Sequence, residues 1–393
     1  MALPQLQGSR TAVVGGAIAL AMGGLALWWL IGLGGHFEPV RASVVQEGLE
    51  HPWDIAFADD GRMLVTERIG RISVFAGPEA GAELIHTAAI PDVRAELESG
   101  LMGIAVDGSA VFVCATRGTA DPASWQVQLL RATLGADSSL SPFEALPLGH
   151  IRGAPRHQGC AVEVDATGDV WLSVGDANLP AGENAAQDPG ALNGKILRVR
   201  PDGTVPSDSP FGPDSPVLSI GHRNPQGLAF GPGGVIVAVE HGTDENDEIN
   251  VIEPGGNYGY PCVTGADSEG PIPEGCGPAE AYLAPAWASG APTLATSGVA
   301  FLVGEAWGDW EGNLVVTTLK EEDLRRFSLA DDGSITENPP MDSLASENGP
   351  STTIGSPPGS VGDLMVVAVD GGCSSAPLSV IDAPFFSNQP KIC

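Results

Sequence analysis

The sequence predicts an all-β chain: a six-bladed β-propeller preceded by one N-terminal transmembrane helix. Three observations carry this reading. A strand–turn–strand unit recurs along the chain, Gly (53) and Pro (33) are frequent enough to supply many turns, and one long uncharged apolar run stands near the amino terminus. The formal net charge is −31, yet only 17% of residues are charged and 43% are hydrophobic, which is a globular composition. So acidic a surface repels phosphate backbones, so nucleic acid is excluded as a partner and anionic lipid surfaces are disfavoured.

The first element is the run from Thr11 to Gly35, which carries no charged residue. At ~1.5 Å of rise per residue a helix of this length crosses a bilayer core of ~30 Å. Trp28 and Trp29 lie near its distal end, where indoles prefer the interface, and Arg10 precedes it. The reading is a cytoplasmic tail at 1–10, an anchor at 11–35, a linker at 36–41 and a propeller at 42–393 held in the periplasm or outside the cell. A cleaved signal is the alternative, although no Ala-x-Ala site follows the run. All six cysteines lie beyond this segment, which fits disulfides in an exported domain. Cys262 with Cys276, and Cys373 with Cys393, are the expected pairs. No CxxCH is present, so covalently attached haem is excluded.

The repeats follow in order: Trp53 to Arg68, Gly100 to Arg117, Gly159 to Asp176, Gln226 to Gly242, Ser297 to Leu319, and a weaker copy at Ser360 to Gly372. Each reads as two alternating strands about a glycine-containing turn, and most are followed by another short strand, such as RISVF or KILRV. Ala42 to Gln46 is expected to close the ring against the last blade. A pair of β-sandwiches is the rival architecture and fits the spacing less well.

Propellers carry function on loops at one mouth of the channel. In RHQGCAVEVDATGDVWLSVGDANLP, His157 and Asp176 sit at opposite ends of two strands joined by a turn, so an imidazole and a carboxylate meet. A carboxylate on one ring nitrogen fixes the tautomer and makes the other nitrogen a better base, although such pairs are often structural. In GHRNPQGLAF, Arg223 is one of few bases and fits an anionic or carbonyl ligand or, equally, an inter-blade ion pair. In EHGTDENDEINVIEPGGNYGYP, Asp244, Glu245, Asp247 and Glu248 offer hard oxygen ligands of the kind Ca²⁺ prefers, or form a solvated acidic turn.

The ordered segments HQG, GD, NGKILRV, GHRNPQGLAF, EHG, DEIN and GGNYGYP resemble those of the glucose/sorbosone dehydrogenase family over roughly residues 45–330. The resemblance implies a six-bladed propeller that oxidises an aldose at its anomeric carbon to the lactone. Hydride passes to pyrroloquinoline quinone (PQQ), and electrons then pass to an external acceptor, a quinone or redox protein. It implies His157 as general base, Asp176 as the acid that orients it, and Arg223 and Asn224 facing the quinone carbonyl. Lys320 would bind the cofactor, and the carbonyls of Gly242 and Thr243 would hold Ca²⁺. Glu248 and Tyr258 would serve a second Ca²⁺, while Glu98 and Gln158 would face the sugar.

Two departures from the family pattern bear on this. An Arg-x-Arg segment is expected after the lysine, but no Arg occurs after Arg326 and Lys391 is the only later base. Each missing charge-assisted hydrogen bond to a tricarboxylate costs ~1.5–3 kcal/mol, so the absence of two weakens affinity roughly a hundredfold or more. Thr243 stands where Pro is common, a mild change for a backbone ligand. A non-catalytic sugar- or protein-binding propeller is the main alternative, and a Ca²⁺-dependent lactonase the less favoured one.

Overall fold

A computed structural model describes residues 41–180, 182–265, 272–321, 323–339, 351–355, 365–369 and 376–382. The apolar run at 11–35 and the pair Cys373–Cys393 lie outside these residues. Among the described residues no helix is long and apolar enough to cross a membrane.

The strands form six four-stranded antiparallel sheets. Their inner strands are Pro52–Phe57, Leu101–Asp107, Gly159–Val164, Pro225–Phe230, Thr296–Phe301 and Ser351–Gly355. Each packs against the next, and the sixth returns to the first, so the sheets are the blades of a closed ring. Ring closure occurs within the last blade, where Arg41–Leu49 pairs with Ala376–Asp382 and sets Ala42 opposite Ile381. The closing strand is the one expected from sequence.

The sixth repeat is displaced from its expected place. Its inner strand is Ser351–Gly355, paired with Met365–Val369, so the hairpin begins upstream of Ser360. The first five blades also carry an outer strand that the repeat pattern left out, for example Leu84–Ala89. That strand alternates between exposed and half-buried positions, so it has no apolar signature to read.

Apolar side chains fill the spaces between blades. Met102, Phe112 and Leu129 of blade 2 pack against Val162, Leu172 and Val174 of blade 3. At ~25 cal/mol per Å² buried, these interlayers are the main stabilising term. Blades approach closely near the axis: a Cβ on Gly103 would fall 2.2 Å from the Cys160 carbonyl oxygen, so only glycine fits. Every inner strand shifts register against its neighbour close to its beginning, as between Pro52 and Asp54, Gly159 and Val162, or Pro225 and Gly227. Such bulges bend the strand and re-aim the loop before it, and here all six act at the same mouth of the channel.

A cavity of about 310 Å³ lies on the axis, lined in part by Asp54, Glu163 and Gln226. Burial, with the nearby Asp54 charge, pushes the Glu163 carboxyl up to about 8. From the ordinary value of 4.5 up to about 8, the native chain holds a proton that the unfolded chain releases. The stabilising contribution is complete below 4.5 and is lost as pH rises through 8. Glu163→Gln is therefore expected to raise the melting temperature at pH 8 and leave it unchanged near pH 4.5. An equal shift at both pH values would refute this linkage.

Candidate active site

At the mouth where inner strands begin, His157 precedes the inner strand of blade 3 and Asp176 follows the second strand, Val170–Val174. Pairing of Gly159 with Val174 brings the two ends together, and His157 Nδ1 lies 2.8 Å from Asp176 Oδ1. Asp176 is 1% exposed and also accepts from Asn178 N at 2.8 Å and Asn184 Nδ2 at 2.9 Å. A carboxylate surrounded by donors accepts from Nδ1–H, which leaves Nε2 as the lone-pair nitrogen. The backbone here is left-handed at non-glycine residues: His157 (φ 56), Cys160 (φ 76), Ala177 (φ 57) and Asn178 (φ 51). Such conformations cost about 1–3 kcal/mol each and cluster at functional sites. Gly175 permits the crossing, since a Cβ there would lie 2.1 Å from the His157 carbonyl oxygen.

Blade 4 supplies Arg223 and Asn224. The Asn224 side chain is oriented by chemistry, because Gly159 N–H donates to its Oδ1 at 3.1 Å. Its Nδ2 consequently faces Glu98 Oε2 (3.2 Å) and His241 Nδ1 (3.4 Å). The Arg223 main-chain N–H donates to Glu240 Oε2 at 2.8 Å, and its Nη1 donates to the His241 carbonyl at 3.2 Å. Arg223 Nε and His241 Nε2 are buried nitrogens with no hydrogen-bond partner among the described residues. Burial lowers the His241 pKa, with Asp247, Glu98, Arg223 and His157 all within electrostatic reach.

Glu98 binds His157 N–H at 2.8 Å and Arg156 Nη1 at 3.3 Å, and it stands at the mouth with its side chain 24% exposed. Gln158 does not stand there. It is 1% exposed, its Oε1 accepts from Thr116 Oγ1 and Ala154 N, and its Nε2 donates to the Arg156 carbonyl. Its side chain is thus turned into the wall, where it braces the segment between Thr116 and Arg156.

The four acidic residues of the next loop do not converge. Asp244 and Glu245 are exposed, and among the described residues no group of three His, Cys, Asp or Glu is placed to hold a metal. Asp247, fully buried, instead accepts from Gly242 N (2.8 Å), Leu294 N (2.6 Å) and Ala295 N (2.5 Å). This ties the Gly242–Thr243 turn to blade 5, where Lys320 N–H donates to the Leu294 carbonyl and Lys320 Nζ to Thr293 Oγ1. Burial and the neighbouring Glu240 carboxylate push Glu248 up to about 7; it accepts from Gly265 N and Asn250 Nδ2. Asn250 Oδ1 is buried without a partner. The Tyr258 hydroxyl donates to the Val251 carbonyl at 2.5 Å and accepts from Glu253 N at 2.8 Å, so only its backbone carbonyl is left for an ion.

Sequence reading missed Asp247 as a backbone receptor, His241, Asn184 and Tyr260. Tyr260 lies within reach of Asp176 and Arg223, and burial with the Asp176 charge pushes its hydroxyl up to about 12. Its signal was present as the second tyrosine of GGNYGYP. The Asn184 contact to Asp176 depends on loop closure and left no such signal. Among the described residues two disulfides form: Cys262–Cys276, as expected, and Cys114–Cys160, which joins blades 2 and 3.

The donor sets fit the groups that the fold implies. Unmatched buried N–H donors at Arg223 and His241 suit an anionic ligand, and the unmatched oxygen of Asn250 beside Glu248 suits a hard cation. Residues 49–346 match the model of the family described as Glucose / Sorbosone dehydrogenase. The chain is 30% identical to the aldose sugar dehydrogenase YliI of Escherichia coli, covering 76% of this chain and 83% of that one. It is 28% identical to quinoprotein glucose dehydrogenase B of Acinetobacter calcoaceticus, covering 58% of this chain and 54% of the relative. The solved PQQ-bound aldose sugar dehydrogenase of Streptomyces coelicolor superposes with a TM-score of 0.70 at 25% identity, over 88% of this chain and 99% of that one.

Proposed function

The chain belongs to the glucose/sorbosone dehydrogenase family, and on that premise we propose that it oxidises an aldose at the anomeric carbon to the lactone, with PQQ and Ca²⁺ as cofactors. The observation that carries the reading is the buried His157–Asp176 pair beside the unmatched donors of Arg223 and His241.

Arg223, Asn224 and Lys320 would hold PQQ, and the carbonyls of Gly242 and Thr243 would hold its Ca²⁺. Glu248 and the Tyr258 carbonyl would hold a second, structural ion. Bound PQQ supplies an electrophilic quinone carbonyl that accepts hydride. His157 Nε2 takes the proton of the anomeric hydroxyl while hydride leaves C1, so the cyclic sugar loses two electrons and two hydrogens and becomes the lactone. Asp176 keeps the imidazole in the accepting tautomer and stabilises the imidazolium that forms. Arg223, whose Nε–H is unmatched, would present a donor to developing oxyanion charge, with Asn224 beside it. An external quinone or redox protein would take up the electrons. Two disulfides support a domain exported to the periplasm or the exterior, with 11–35 as its anchor.

Dye-linked oxidation across an aldose panel tests this, with purified chain given PQQ, CaCl₂, both or neither. Activity only with both is expected, at a PQQ concentration raised by the missing arginines after Arg326. No PQQ binding together with no oxidation would leave the non-catalytic propeller, and acid release from lactones without PQQ would indicate the hydrolase. Membrane fractionation before and after deletion of 11–35 tests the anchor.

A further inference from the structure

We propose that the Cys114–Cys160 disulfide is a positioning device for His157, and that the chain turns over at its full rate only when this thiol pair is oxidised. The inference rests on the proposed role of His157 as base. Forming the bridge requires a thiol–disulfide oxidant that takes two electrons and two protons from the pair.

The segment from His157 to Cys160 holds a backbone that it would not keep unaided. His157 (φ 56), Gly159 (φ 65) and Cys160 (φ 76) all lie in the left-handed region, and two of the three carry a Cβ that penalises it. Such a segment persists only where its surroundings over-determine it. Three of the clamps are hydrogen bonds: His157 N–H to Glu98 Oε2 at 2.8 Å, Ala177 N–H to the His157 carbonyl at 3.1 Å, and Gly159 N–H to Asn224 Oδ1 at 3.1 Å. The fourth is covalent. Cys160 is bonded to Cys114 on the neighbouring blade, in the strand Ala110–Arg117, with a Cα separation of 5.6 Å. Two residues along that strand, Thr116 Oγ1 donates to Gln158 Oε1 at 3.2 Å. One strand of blade 2 therefore grips the segment twice, immediately behind the base.

Packing alone does not call for the bond. Both cysteines are fully buried among apolar side chains, where two thiols would fill the same space. The bond adds direction, because it denies Cys160 the peptide rotation by which the segment would relax to negative φ. Relaxation would carry the His157 ring away from its 2.8 Å contact with Asp176. Arg223 and Lys320 lie on other blades and bond no atom of 157–160, so cofactor binding is largely spared even though Asn224 shares a bond with the segment. The expected signature is a fall in kcat with little change in KM.

The test uses two variants of the full chain, Cys114→Ala/Cys160→Ala and the bulkier Cys114→Val/Cys160→Ala. Amide exchange is measured without cofactor, and kinetics after reconstitution with PQQ and CaCl₂. Exchange of the peptide carrying 157–160 is expected to quicken about tenfold, while peptides of blade 5 stay unchanged. Turnover is expected to fall about five- to tenfold with KM within twofold, and the pH profile of kcat to shift. Unchanged exchange and kcat in folded variants would overturn the proposal. Loss of fold in both variants would also overturn it, assigning the bridge to the scaffold. Faster local exchange with a wild type that oxidises no aldose would uphold the clamp and sink the assignment of His157 instead.

Discussion

His157→Ala is expected to lower kcat for aldose oxidation by about 10²- to 10⁴-fold, the range that a positioned general base contributes. The fold should survive, because the ring is 8% exposed at the mouth and its removal opens space that water can fill. Circular dichroism and the melting temperature check that condition, and PQQ binding should persist through Arg223 and Lys320. Asp176→Asn is the companion measurement. An amide presents a donor to Nδ1 and favours the tautomer in which Nε2 carries the proton, so kcat should fall about 10²-fold or more with little change in KM. Unchanged turnover in either variant would refute the base assignment, whatever the substrate.

The second large effect concerns stability. Lys195 is fully buried, and its Nζ donates to the carbonyls of Ala185 (2.7 Å), Ala186 (2.9 Å) and Asn193 (2.7 Å). These carbonyls belong to the loop that sends Asn184 to Asp176 and Gln187 to Asn257 and the Tyr260 carbonyl. Lys195→Met keeps much of the volume but leaves the Asn193 carbonyl unmatched and takes one of two donors from the carbonyls of Ala185 and Ala186, which keep the N–H groups of Asp188 and Gly221. At about 1–3 kcal/mol for the unmet acceptor and about 0.5–1.5 kcal/mol for each of the two lost bonds, partly recovered by relaxation, a loss of roughly 2–4 kcal/mol is expected. For a domain of this size that corresponds to a fall of roughly 3–6 °C in melting temperature. Turnover should fall as well, since Asp176 loses the support of Asn184. An unchanged melting temperature would show that the lysine is incidental to the loop.

Both predictions depend on residues whose legibility in the sequence differed. His157 and Asp176 were readable because a hairpin of known period brings its two ends together, so contact follows from local pairing. The inner and second strands of five blades were readable for the same reason, each carrying alternating apolar residues about a glycine turn. The sixth was misplaced because STTIG at Ser351–Gly355 is too polar to announce itself, and only the ring closed by Arg41–Leu49 requires a strand there. Lys195, within NGKILRV, read merely as the start of a strand.

By itself the sequence determined the repeat, the all-β class, the acidic composition, and the family to which the chain belongs. These are properties of composition and of spacing along the chain. Tertiary structure alone decided which groups at the mouth remain free. It turned Gln158 into the wall, made Asp247 a receptor for backbone N–H groups, left Arg223 Nε and His241 Nε2 without partners, and bonded Cys114 to Cys160. The physical reason is that hydrogen-bond satisfaction and disulfide pairing are fixed by neighbours from other blades, dozens of residues away. Local periodicity specifies a blade, whereas the contents of the mouth are settled only when six blades close on one axis.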